Sequence, residues 1–266
     1  MRLKNLTSCF LFFVSIFICF NYNAQASNVQ ISDVRIKNLN PFTRTANIEF
    51  RLSQQSPYPE SVLGARDSIW IFGKYWLDGA DSAATGWHHL GLADEQEGIF
   101  IPSHTAGEAG DLFTITWDFS DNDDLFNLLS SGNRPLVRIC AIEMVSIPAT
   151  DNLDSFYLAK YEVSQAQYAD YLNMLDTTTA RNRRADKKTN GYSVSFASNA
   201  EYGAQFAASA PERACNFISF EDAKAYADWA GAAPAYARGM GNCRIRAGRN
   251  RRQGKYAYLS VGRYES

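Results

Sequence analysis

Apolar and polar side chains alternate through the first half of the chain. Val29 and Ile31, then Val34 and Ile36, stand among polar neighbours, while Ile48, Phe50 and Leu52 are separated by Glu49 and Arg51. A period of two places such residues on one face of a strand. The stretch DSIWIFGKYWLDG is apolar on both faces and closes at Asp78-Gly79; further strands are predicted at 87–90, 98–101, along LFTITWDF from Leu112, and at 136–142. Turn residues separate these runs at regular intervals and no helical period intervenes. Residues 27–141 therefore predict an antiparallel β-sandwich of about seven strands.

Beyond this point the period changes. A short strand is expected at 155–160, followed by a helix that Ser164 caps, with Gln167 three residues on to complete a capping box. Ala166, Ala169, Leu172 and Met174 or Leu175 supply its apolar stripe. The device recurs at Ser219 and Asp222, ahead of Ala223, Tyr226, Ala227, Trp229 and Ala230, and Gly231 is placed to end the second helix. Between the two helices, residues 176–210 are largely polar and strongly basic over 181–188, which predicts a loop. Two short helices and two short strands bury too little apolar surface to fold securely alone. Residues 142–231 thus read as part of a larger α+β unit.

The start of the chain reads as a signal peptide. Arg2 and Lys4 precede an apolar run over 10–20, and Ala24-Gln25-Ala26 gives the small-x-small pattern of a cleavage site. The run is about half the ~20 residues of a membrane span, and Cys19 lacks the small residues that precede a lipidated cysteine. Segment 1–26 is expected to be removed, with the remainder secreted, periplasmic or held in the cell envelope. No later run is long and apolar enough to span a membrane. Three well-separated cysteines remain, Cys140, Cys215 and Cys243, and they form no disulfide framework.

Charge divides the chain a second time. Residues 27–231 hold 16 basic and 27 acidic side chains, whereas 232–266 hold eight basic and one acidic. A basic tail can act as a nucleic-acid or membrane arm, or be a solvated disordered segment.

Several linked motifs suggest another origin for the tail. EMVSIPA, then FYLAKYEVSQAQYADYLN and, after a variable loop, FISFEDAKAYADWAG together resemble the opening of the formylglycine-generating enzyme family, the sulfatase-modifying-factor domain. The resemblance spans 143–231 and implies an incomplete α+β domain of the C-type-lectin-like kind, with the sandwich as a preceding β-domain. It also implies that Arg-Leu-Pro-Thr-x-Ala-Glu-Trp-Glu, Ala-Arg-Gly and Tyr-Pro-Trp-Gly should follow Trp-Ala-Gly. They are not in the chain as written. Taking the last two bases of each codon with the first of the next, residues 233–242 permit the first motif, with Met240 into Gly241 forcing Trp. Residues 252–255 and 259–263 permit the other two. The tail is accordingly expected to be a shifted reading frame rather than a nucleic-acid arm.

The family resemblance implies a copper-dependent oxidase that converts a cysteine of client sulfatases to formylglycine, with calcium bound for structure. Its copper-holding cysteine pair lies late in the domain, so neither Cys215 nor Cys243 inherits that role. No catalytic or cofactor-binding residue transfers, no copper or calcium is expected in this chain, and any other metal site is left open. The chain is expected to be truncated and inactive as an oxidase. The alternative is a non-catalytic envelope, surface-assembly or binding protein on the same fold, with other exported proteins as partners.

Remaining candidates are weighed on chemistry. His88, His89 and His104 would hold zinc or copper only by converging with a fourth ligand; surface or strand-edge positions are the simpler expectation. Asp118, Asp121, Asp123 and Asp124 could offer oxygens to calcium, but their spacing suits an acidic turn. Arg181, Arg183, Arg184, Lys187 and Lys188 could meet an anion or simply be solvated. Trp70, Tyr75, Trp76, Trp87 and Trp117 could line a glycan groove, although alternation sends many of them into the sandwich core.

Overall fold

A computed structural model describes residues 29–54, 67–77, 86–93, 97–102, 110–149, 155–184, 194–200, 203–234 and 257–259. In chain order the elements are β1 (Val29–Asn40), β2 (Thr45–Gln54), β3 (Asp67–Leu77), β4 (Gly86–His89), β5 (Ile99–Pro102), β6 (Asp111–Asp118), α1 (Asp123–Ser130), β7 (Val137–Ile147), β8 (Phe156–Ala159), α2 (Gln165–Leu172), α3 (Thr177–Asn182), β9 (Val194–Ala200), β10 (Gly203–Ala208), α4 (Phe220–Trp229), β11 (Ala233–Pro234) and β12 (Ala257–Leu259). The fold is mixed α+β with mostly antiparallel sheets.

Sheet β1-β2-β6 faces a second sheet built on β3 and β7. Between them lies an apolar core: Ile48, Phe50 and Leu52 of β2, Ile69 and Ile71 of β3, and Ile115 and Trp117 of β6 are all fully or nearly fully buried. The strict alternation of β2 is what sends its three apolar residues to one side. Strand β3 has no solvated face. Its opposite side chains, Trp70 and Phe72, belong to a second core with Tyr168, Tyr171, Leu172, Tyr226 and Ala227. This explains why DSIWIFGKYW reads as apolar throughout: one strand serves two cores.

The register joins the two halves of the chain. Strand β7 pairs β3 from Asp67↔Val145 to Tyr75↔Val137 and, on its other edge, pairs β8 from Met144↔Ala159 to Ile147↔Phe156. The junction at 141/142 therefore falls inside a continuous strand. At the end of β2, Gln54 donates its side-chain N–H to the buried Glu143 carboxylate of β7 at 2.8 Å, a further tie between the two sheets.

Both expected capping boxes are present. Ser164 Oγ accepts from Gln167 N while Gln167 Oε1 accepts from Ser164 N; Ser219 and Asp222 do the same for α4. Further backbone donors at the start of α2 reach the carbonyls of Arg213 and Pro211, which satisfies groups that a helix leaves unpaired. At the end of α4, Ala232 N donates to Ala227 O and Gly231 N to Asp228 O, with Gly231 at φ +61°. That pair of bonds is a Schellman motif, and the left-handed residue it requires is the glycine.

Two expectations need correction. The first half is not purely strands: Asn122 caps α1, its side chain accepting from Leu125 N, and Leu125 and Leu129 are buried one turn apart. Nor is 176–210 simply a loop. Asp176 caps α3, and β9 and β10 pair as a hairpin against α2, with Asn173 bonding both N and O of Phe206. The polar composition concealed these elements because each buries only a few residues, Ala180, Val194 and Phe206 among them.

Candidate functional site

A lysine in the middle of β3 faces the core. Lys74 is 5% exposed, held there between Gly73 and Tyr75, both buried along the strand. Its Nζ lies 2.9 Å from Nδ1 of His89, the cross-strand partner on β4. His89 Nε2 is in turn 2.6 Å from the carbonyl oxygen of Glu97. A carbonyl only accepts, so Nε2 carries the hydrogen and Nδ1 is the acceptor left for the ammonium. Aromatic rings close the surroundings: Nζ is 5.5 Å from the Trp229 ring and 5.9 Å from that of Phe72, and Phe72 packs edge-on to Trp229 at 5.1 Å.

Burial dominates the electrostatics. It lowers Lys74 from 10.5 to about 8, with Cys140 and Glu97 acting weakly the other way. Burial and the Lys74 cation together lower His89 from 6.5 to about 4, partly offset by the Glu97 carbonyl. At neutral pH the histidine is therefore neutral and the lysine is a cation near its titration point. Helix α4 meets this cluster directly. A Cβ added at Gly231 would lie 2.9 Å from Glu97 Cβ and 3.2 Å from His89 Cε1. Trp229 Nε1 is buried and without a hydrogen-bond partner among the described residues.

A second concavity, about 520 Å³, lies between the start of α1 and the sandwich, lined by Tyr75, Leu92, Trp117, Asp118, Asp121 and Asn122 among others. Its aromatic floor is sealed: Tyr75 is 5% and Trp117 1% exposed, the two rings 5.0 Å apart, and the Tyr75 hydroxyl accepts from Asn122 Nδ2. Little ring surface is left for a sugar to stack on.

The candidate residues separate. Of the aromatic set, Trp70, Tyr75 and Trp117 are core, and Trp70 Nε1 donates to Ala230 O at 2.9 Å. Trp76 and Trp87 alone pair at a half-buried surface, edge to face at 5.8 Å, with the Arg138 guanidinium over Trp87. His88 and His89 are successive residues of β4 and point to opposite faces: His88 stacks on Tyr75, His89 joins Lys74. They cannot share an ion, and His104 lies outside the described residues. Asp118 accepts from Ser120 N, and Asp123 pairs with Arg44 at 2.6 Å; with Asp124 the latter forms the acidic first turn of α1. Arg183 is bound to Asp222 at 3.0 Å and Arg181 lies over Phe196, whereas Lys187 and Lys188 lie outside the described residues. Among the described residues no three His, Cys, Asp or Glu side chains gather as a metal site.

Cys140 and Cys215 sit in different parts of the fold. Cys140 lies within β7, opposite Phe72, and Cys215 precedes α4, its N–H donating to Val163 O. Both are free thiols, and burial pushes each up to about 12. A copper ligand must be the thiolate. The Lys74–His89 pair was not legible from sequence; its one trace is a cation inside an otherwise apolar strand.

Residues 138–258 match the family of the sulfatase-modifying factor enzyme 1-like domain. The match begins within β7 and continues past Gly231. No curated protein and no solved structure matches the chain. No helix among the described residues is long and apolar enough to cross a membrane.

Proposed function

From a chain whose residues 138–258 form a sulfatase-modifying factor enzyme 1-like domain, we propose an exported protein that uses this domain as a scaffold and not as a copper oxidase. The state of the thiols carries the reading. Of the two cysteines within the described part of the domain, Cys215 is buried and Cys140 half-buried, and each holds its proton to about 12, so neither offers the soft thiolate that copper chemistry requires. The shared strand β7 and the two cores on β3 support a scaffold role, because they fix the β-sandwich and the family domain in one body. Its partners would be other exported proteins.

The test is to incubate the full chain with copper(I), oxygen and a sulfatase-derived peptide bearing the target cysteine, and to follow the peptide by mass spectrometry. The expected result is unchanged cysteine; conversion to formylglycine would overturn the reading. Export rests on Arg2, Lys4, the apolar run and Ala24-Gln25-Ala26. It predicts that amino-terminal sequencing of the mature protein begins at Ser27.

The codon register past Ala232 favours a second element of the proposal, that 232–266 are read one base out of frame and the family domain is thereby cut short. The family match running to 258 favours the opposite, a tail that belongs to the domain as encoded. Resequencing the coding DNA from codon 225 onward decides. One frame step that restores Arg-Leu-Pro-Thr, Glu-Trp-Glu and a later cysteine pair makes the parent gene an oxidase candidate; a confirmed frame overturns the shift.

A further inference from the structure

The end of α4 rests on a hydrogen-bonded chain that tolerates one protonation state. Lys74 Nζ donates to His89 Nδ1, and His89 Nε2–H donates to Glu97 O, at 2.9 and 2.6 Å. Directly above are Gly231, where an added Cβ would come within 3.2 Å of both Glu97 and His89, and the Trp229 ring 5.5 Å from the ammonium. Proton uptake at Nδ1 turns the acceptor into a donor and sets an imidazolium against an ammonium 2.9 Å away. We propose that Lys74, His89 and the Glu97 carbonyl form an acid-released latch, which holds Trp229 to Ala232 on the sheet while His89 is neutral and frees them when it is protonated.

Among the described residues, the groups that act on His89 are Lys74 and the Glu97 carbonyl, and neither is an anion. Facing Lys74 are the Cys140 thiol and Glu97, with Arg138 its cross-strand partner on β7. Facing His89 are Lys74 and the Glu97 carbonyl. From α2, Asp170 acts on Arg138 and Cys140. On α4, Asp228 is engaged by Lys224 at 3.1 Å. His89 titrates near 4 when docked and near 6.5 when released. The released population should thus rise by about 80-fold as pH falls from 6.5 to 4.

Hydrogen exchange of the full chain, measured from pH 7 to 4 and corrected for intrinsic rates, tests this. The amides of Gly231 and Ala232 should open progressively towards pH 4 while those of Ile48, Phe50 and Leu52 stay protected. His89→Gln keeps an acceptor for Lys74 and a donor for Glu97 but cannot titrate, so its acid response should vanish. Lys74→Met removes the opposing cation, so docked His89 takes up a proton more readily and the acid response should shrink, which keeps the test decisive if the glutamine variant fails to fold. The proposal is overturned if wild-type exchange at 231–232 is flat with pH, if it rises only together with β2, or if the variants respond as wild type does.

Discussion

The indole N–H of Trp70 in β3 donates to the carbonyl of Ala230, the C-cap of α4, at 2.9 Å across 160 residues of sequence. This bond joins a strand of the sandwich to the last turn of α4, within the family match. Ala230 is fully buried, so no water can replace the donor. Trp70→Phe keeps a ring but leaves that carbonyl unpaired, and should cost about 1–3 kcal/mol. Urea unfolding measures it; a variant as stable as wild type would show that the bond contributes nothing.

Gly231→Ala should destabilise by at least about 1 kcal/mol, because the position needs φ +61° and has no space for a Cβ. A glycine needed only for its φ would accept asparagine with a smaller penalty. Since the added Cβ meets Glu97, Gly231→Asn should fare no better than alanine. Thermal unfolding of the two variants separates these accounts.

Lys74 should leave a mark on stability in mild alkali. Its folded value of about 8 lies below its ordinary 10.5, so between those values the unfolded chain holds the extra proton and stability rises with pH. The buried tyrosines Tyr75, Tyr168, Tyr171 and Tyr226, raised above 10, and the two cysteines, raised above 9, act in the opposite sense: there the unfolded chain loses its protons first. Between pH 8 and 9 the lysine alone should add about 1 kcal/mol, partly offset by the two cysteines, so its effect is read as the difference between wild type and Lys74→Met. Lys74→Met should lack this slope in a series of urea titrations, and an equal slope in both proteins would remove the argument.

Cys140 and Cys215 should be inert in the folded protein. Raising a thiol from 9 to about 12 lowers its thiolate fraction about 1,000-fold near pH 8. In a variant with Cys9, Cys19 and Cys243 replaced by serine, a thiol reagent should label neither cysteine until denaturant is added. Rapid native labelling of both would mean that they are accessible, and would reopen them as metal ligands.

Ser164→Ala should cost about 1 kcal/mol through loss of the capping box. Ser219→Ala should cost a similar amount, but not independently of Arg183, because Asp222 serves both the box and the Arg183 ion pair. A double-mutant cycle on Ser219 and Arg183 should therefore show coupling, whereas Ser164 and Arg183 should be additive.

What could be read directly was whatever depends on near neighbours in sequence. The alternation of Ile48, Phe50 and Leu52, the boxes at Ser164 and Ser219, and the stop at Gly231 are set by local backbone geometry, and the structure carries each of them. Local signals were also available where the reading failed. Asn122 with Leu125 and Leu129 is a capped helical turn beside strong strand patterns, and Tyr168 and Tyr171, both core, belong to the buried face of α2.

Other features had no local signal. That β7 continues through 141/142 to pair on both edges, that β3 serves two cores, and that the aromatic set divides between core and surface depend on which strands lie side by side. So does the meeting of Lys74, His89, Glu97 and Gly231. Periodicity assigns a residue to a face, and it determined the elements and the broad α+β class. Only tertiary packing decides what that face meets, and a buried cation becomes a candidate latch only when the fold supplies its acceptor and withholds its water.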